Sequence, residues 1–91
     1  MKKDKKNKDQ NTLLDVFKQG DKVSQVCYNP DGTTSEYTGR IIKITRHCIA
    51  VHWDAVDGNN LANFRIVYKI FHESEVFNGN DNTSPIKKQN N

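Results

Sequence analysis

The cysteines and histidines of this sequence, Cys27, Cys48, His47, His52 and His72, invite a metal-binding reading. A structural zinc site needs cysteine pairs about two to four residues apart, or histidine pairs about three to five apart. His47 and His52, with four residues between them, meet the histidine half of that pattern. No cysteine pair accompanies them, so the expected reading is surface histidines and free thiols on strands, with no metal and no cofactor. Catalysis has as little support. A nucleophile needs a base within reach and a third group to orient it. His52 near Asp54 and His72 near Glu73 are pairs without that third member. Gly20, Gly32, Gly39, Gly58 and Gly79 are isolated, so no glycine-rich phosphate loop is present. The expectation is a protein that is not an enzyme and has no catalytic residue.

Binding chemistry is better represented. Arg40, Lys43, Arg46, Arg65 and Lys69 are basic, with Tyr37 and Tyr68 nearby. Cations hold phosphates and aromatic faces stack on bases, so Arg40, Lys43, Arg46, Arg65, Lys69 and Tyr37 form the candidate nucleic-acid-binding set for DNA or RNA. On a strand, however, Lys43 faces opposite to Arg40 and Arg46, so a single stripe is not assured. The alternative is a solvated surface of mixed sign. A second basic group, Lys2, Lys3, Lys5, Lys6 and Lys8, reads as a flexible electrostatic arm or as a solubilising tail. Lysine without arginine argues against bidentate base readout there.

The formal net charge of +3 over 91 residues is unevenly placed. Residues 1–11 hold five lysines against two aspartates, and residues 78–91 hold two lysines against one aspartate. Residues 12–77 hold seven basic and eight acidic side chains. Residues 1–11 have no apolar side chain after Met1, and residues 78–91 have only Ile86, so both are expected to be disordered tails. The length allows one domain, placed at 12–77. Apolar runs such as Cys48–Val51 are too short to span a bilayer, and no apolar stretch follows the first lysines as a secretory signal requires. A cytoplasmic location is the default expectation. The excess of Asn, and of Lys over Arg, suggests a low-GC genome, such as that of a phage.

The elements that must position these groups are mostly strands. Thr12 can cap a helix of about two turns carrying Leu13, Leu14, Val16 and Phe17, stopped by Gly20. Asn29-Pro30-Asp31-Gly32 is the clearest turn, joining Val23–Tyr28 to Thr33–Tyr37 as a hairpin. Arg40–Thr45 and Cys48–Trp53 follow, with a turn at Arg46-His47 that lacks the usual Gly or Asn. Ile49, Val51 and Trp53 share a parity, which assigns Trp53 to the core. Asp57–Asn60 is a loop, Phe64–Phe71 a last long strand, and His72–Glu75 a single helical turn. About five short, closely spaced strands close most economically as a small barrel.

The order Gly20-Asp21-Lys22-Val23, Gly39-Arg40-Ile41-Ile42-Lys43-Ile44, Ile49–Asp54 and Glu73–Val76 resembles a small SH3-like barrel of the KOW and Tudor-like kind, over about residues 17–77. The resemblance implies a mainly β fold, a single five-stranded SH3-like barrel with a short N-terminal helix. It implies binding to nucleic acid, to peptides or methylated side chains, or service as an accessory subunit. No aromatic cage for methyl-lysine can be assigned from the residues. Association with nucleic acid through the basic residues and the Lys-rich tail is the leading expectation. The alternative is a protein-interaction accessory or inhibitory factor docking on a larger host or phage assembly through Leu14 and Phe17. The helix is expected to cover one end of the barrel in preference to offering its apolar face to that partner.

Overall fold

In the computed structural model, residues 12–61 and 68–89 are described. The Lys-rich segment 1–11, Arg65 and the first half of the Phe64–Phe71 strand lie outside them. The fold is mainly β. It begins with one helical turn, α1 (Leu13–Val16), half the length its apolar pattern suggests. The Asp15 carboxylate accepts from the backbone N–H of Thr12 at 2.9 Å, which fixes the start. The chain is already extended at Phe17, three residues before Gly20. Extending there turns the Phe17 ring inward with Leu13, and both are buried while Leu14 stays outside.

β1 (Lys22–Tyr28) and β2 (Thr34–Ile44) form the expected hairpin. Gly32 takes a φ of +90° and its N–H donates to the Asn29 carbonyl at 3.0 Å. Asp31 stiffens the turn by accepting from the Thr33 hydroxyl at 2.6 Å and the Thr33 N–H at 3.0 Å. β2 is one continuous strand of eleven residues that also pairs with β3 (Cys48–Val56). Thr45 supplies what the β2–β3 turn lacks in glycine. Its hydroxyl accepts from the N–H groups of His47 and Cys48 at 3.3 and 3.1 Å.

β3 carries two partners on its far edge: the short β4 (Asn59–Asn60) beside Ala55 and Val56, and β5 (Tyr68–His72) beside Cys48–His52. α2 (Glu73–Asn78) follows, capped by the His72 side chain and closed by Gly79 at a φ of +72°. The sequence reading expects a disordered tail from residue 78, and here the chain differs. Residues 82–88 return antiparallel along β1, ending in β6 (Lys87–Lys88) opposite Ser24 and Val23. Tyr28 N–H donates to the Asn82 carbonyl, Ser84 N–H to Val26, and Gln89 N–H to Lys22, each at 2.8 Å. The buried Gln25 side chain donates to the Ser84 carbonyl at 3.1 Å. A composition rule for disorder counts apolar side chains and misses this segment, because edge pairing satisfies backbone groups and polar residues do it as well as apolar ones. The one apolar residue, Ile86, is buried, and its N–H donates to the Val76 carbonyl in α2 at 2.9 Å.

The result is a six-stranded antiparallel sheet in the order β4-β3-β2-β1-β6, with β5 also on β3. One face holds the core: Leu13, Phe17, Val23, Ile41, Ile49, Val51, Trp53, Phe71, Val76 and Ile86. Trp53 lies in it as its parity implies, edge-on to Phe71 at 6.0 Å and to Tyr37 at 5.9 Å. Gly39 lets β2 and β3 close over Trp53. A Cβ there would collide with the His52 carbonyl oxygen and come within 2.8 Å of the Trp53 Cα.

Two stability outcomes are expected. Gly39→Ala should cost about 1–3 kcal/mol or more by overpacking, read from the urea midpoint. Ile86→Ala should cost about 2–5 kcal/mol, although it lies in a segment whose composition suggests a dispensable tail.

Candidate functional site

Which side of the sheet each basic residue occupies follows from strand register. In an antiparallel ladder, directly opposed residues share a face. Lys22 on β1 is opposite Arg40 on β2, Arg40 is opposite His52 on β3, and His52 is opposite Tyr68 on β5. These four side chains make one row across four strands, on the face away from the core. Neighbouring strands lie about 4.8 Å apart, so the row is roughly 14 Å long. Lys22, Arg40 and Tyr68 are exposed and His52 is half-buried.

A second row lies beside it. Lys43 is opposite Ala50, and Ala50 is opposite Ile70. Ala50 and His52 are two residues apart on one strand, so Lys43 and Arg40 share a face. Simple alternation along β2 excludes this, since the two are three residues apart. The β2–β3 register shifts between Ile41 and Lys43, placing Ile42 as the additional residue of a β-bulge. The bulge returns Lys43 to Arg40's side and leaves Ile42 exposed. On the opposite flank, Lys87 is paired with Ser24, whose β2 partner is Thr38. The outer face therefore gathers Lys22, Arg40, Lys43 and Lys87 with His52, Tyr68 and Ile70, and the exposed Glu36 lies on it four residues from Arg40 along β2.

The other candidates are dispersed. Lys69 pairs with Val51 and so belongs to the core side, where its Nζ sits 5.4 Å from the centre of the Phe71 ring. Tyr37 is half-buried on the core side, with its ring 5.9 Å from that of Trp53, and so stands apart from the outer face. Arg46 is exposed in the β2–β3 turn, beyond the end of both rows. Arg65 lies outside the described residues. Of the partner-binding pair, Leu14 is 52% exposed, whereas Phe17 packs in the core with its ring 6.5 Å from that of Phe77.

Lys22 and Tyr68 complete the row but stand outside the sequence-derived set. Lys22 had a readable signal. Pairing Tyr28 with Thr34 across the Asn29–Gly32 turn and counting back along both strands brings Lys22 opposite Arg40. The bulge had none, because no glycine marks it.

Acidic side chains are mostly engaged elsewhere. Asp15, Asp31 and Glu75 accept from backbone N–H groups at turns and helix starts, at 2.9–3.3 Å, and Asp57 accepts from the Glu36 N–H in β2 at 2.8 Å. Asp21 accepts from Lys18 N–H and pairs with Lys88 at 3.6 Å. Glu73 pairs with His47 at 2.8 Å. Thr33's hydroxyl and backbone N–H lower the pKa of the Asp31 carboxyl from its ordinary value. Among the described residues, Lys22, Arg40, Lys43 and Lys87 are in no ion pair.

His47 and His52 do not meet: one faces Glu73 from a turn, the other stands in the outer row. Among the described residues no three His, Cys, Asp or Glu side chains converge on a metal-binding geometry. Both cysteines are free thiols. No protein-family model matches the chain, and neither the curated proteins nor the solved structures return a match.

Burial pushes the Cys27 thiol above its ordinary value, with Lys69 pulling weakly the other way. The thiolate is the reactive form, so Cys27 should alkylate more slowly in the folded protein than in urea near pH 8. Peptide-resolved mass spectrometry of iodoacetamide labelling reads this directly.

Proposed function

We propose that this chain is a non-enzymatic nucleic-acid-binding module built on a small SH3-like barrel. The fold assignment is supported by the strand order and by α2, which runs from the β5 edge to the strand that covers β1. Ile86 beside β1 and Val76 in α2 share one core, joined by the Ile86 N–H to Val76 carbonyl bond, which supports the barrel reading. The free thiols of Cys27 and Cys48 suit a reducing cytoplasm.

The observation that carries the function is the outer row, Lys22–Arg40–His52–Tyr68, with Lys43 beside it. Cations at neighbouring register positions repel one another, so without a counter-charge the arrangement costs stability. A polyanion supplies that counter-charge. Phosphates recover the repulsion through counterion release, and Tyr68 and His52 add flat faces among the charges. The lysines of residues 1–11 lengthen the electrostatic reach.

Binding of the full chain to labelled oligonucleotides should fall steeply between about 50 and 200 mM salt. The Lys22→Ala/Arg40→Ala/Lys43→Ala variant should flatten the log–log salt slope by roughly 2 units, at about 0.7–0.9 per phosphate contact. Absence of binding at about 50 mM salt would overturn the reading.

A protein partner is the second reading, and it now rests on Leu14, the exposed member of its pair. Leu14→Asp should keep the fold and abolish such binding. Phe17→Asp does not test docking, because Phe17 is part of the core.

A further inference from the structure

We infer that the outer face is built for single-stranded nucleic acid, with Tyr68 as the stacking platform for an unpaired base. This rests on the nucleic-acid reading above and names the form of the ligand.

Reading a duplex requires an element that enters a groove, usually a helix or a two-stranded ribbon. The described helices have four and six residues, and α2 is packed by Val76 into the core. Among the described residues, the β1–β2 hairpin is the long ribbon whose tip is held only by its own turn, and that tip carries the anionic Asp31. A phosphate-lined groove repels it. Neither device for duplex readout is available among the described residues.

What the face offers instead is a division of labour along its length. Lys22, Arg40 and Lys43 occupy β1 and β2, while Tyr68 and Ile70 occupy β5. Tyr68 is 56% and Ile70 61% exposed, with Ile70 two residues along the same face. An exposed tyrosine and isoleucine on one strand present apolar area that phosphate does not satisfy. A base face does, and only an unpaired base has its face free to meet a protein surface. His52 lies between the two zones, opposite both Arg40 and Tyr68. A strand crossing the sheet would thus set its phosphates on β1 and β2 and turn a base outward onto β5. DNA and RNA single strands share this chemistry.

The test compares the full chain on a single-stranded DNA, a single-stranded RNA of the same sequence, and the DNA duplex, by fluorescence anisotropy at one salt concentration. Single strands should bind roughly tenfold or more tightly than duplex. Tyr68→Ala should weaken single-strand binding roughly tenfold or more with the salt slope unchanged, since a lost stack releases no counterion. Tyr68→Phe should restore it. Arg40→Ala should flatten the slope instead, which separates the two roles. Preference for one sugar identifies the source of the strand and leaves the inference standing. Equal affinity for strand and duplex, or a silent Tyr68→Ala, overturns the single-strand inference while nucleic-acid binding survives. Loss of binding to all three probes overturns the underlying reading instead. Tyr68 is exposed, so circular dichroism of Tyr68→Ala should match the parent protein.

Discussion

The bulge at Ile42 sets the chemistry of the outer face. A strand alternates its side chains strictly, so Arg40 and Lys43 would stand on opposite faces of a regular β2. One additional residue between Ile41 and Lys43 resets the alternation. Ile41 and Ile44 then both serve the core, Ile41 buried and Ile44 packed against its rim, and both cations go outward. A second register shift, between Thr38 and Gly39, falls on the partner strand: Thr38 pairs with Ala55 and Gly39 with Trp53, so the additional residue is Asp54 of β3. Tyr37 and Gly39 alternate normally on β2, which keeps Tyr37 on the side of Trp53. β2 can therefore be eleven residues long, pair on both sides and still wrap one core.

Charge follows the same logic. Residues 12–89 hold equal numbers of basic and acidic side chains, nine of each, so net charge says nothing about this face. Distribution does. Carboxylates are hydrogen-bond acceptors, and turns and helix starts present unpaired N–H donors, so Asp15, Asp21, Asp31 and Glu75 are taken up there, while Asp57 accepts from the Glu36 N–H in β2 and Glu73 pairs with His47. Lysine and arginine cannot serve there. On the strands, Lys22, Arg40 and Lys43 keep to the outer face, while Lys69 stays exposed on the other side and Arg46 in a turn.

Much of this was legible in the sequence, and the failures have a common cause. The Asn29–Gly32 turn, the hairpin it makes, and the inward parity of Ile49, Val51 and Trp53 follow from local chemistry, and all are observed. The helix at Leu13 was overestimated because Phe17 satisfies an apolar helical pattern equally well from an extended residue. Residues 78–89 were misread because their pairing partner, β1, lies about sixty residues earlier, and nothing local to Asn82 or Ser84 records it. Splitting Lys69 from Arg40 required knowing that Lys69 faces Val51. Long-range register is the missing information each time.

The return of residues 82–88 along β1 also governs how the chain matures. Ile86 fills a core that Leu13 begins, so the hydrophobic interior is incomplete until residue 86 has been added. During synthesis, β1 would leave the ribosome with one edge unpaired, an invitation to association with other strands. A fold that joins its first strand to its last also closes a long loop before it gains that contact, which slows folding relative to helical domains of equal size. Apart from Pro85, residues 78–85 contain no aliphatic or aromatic side chain, so the segment that covers the β1 edge brings no apolar run of its own to aggregation.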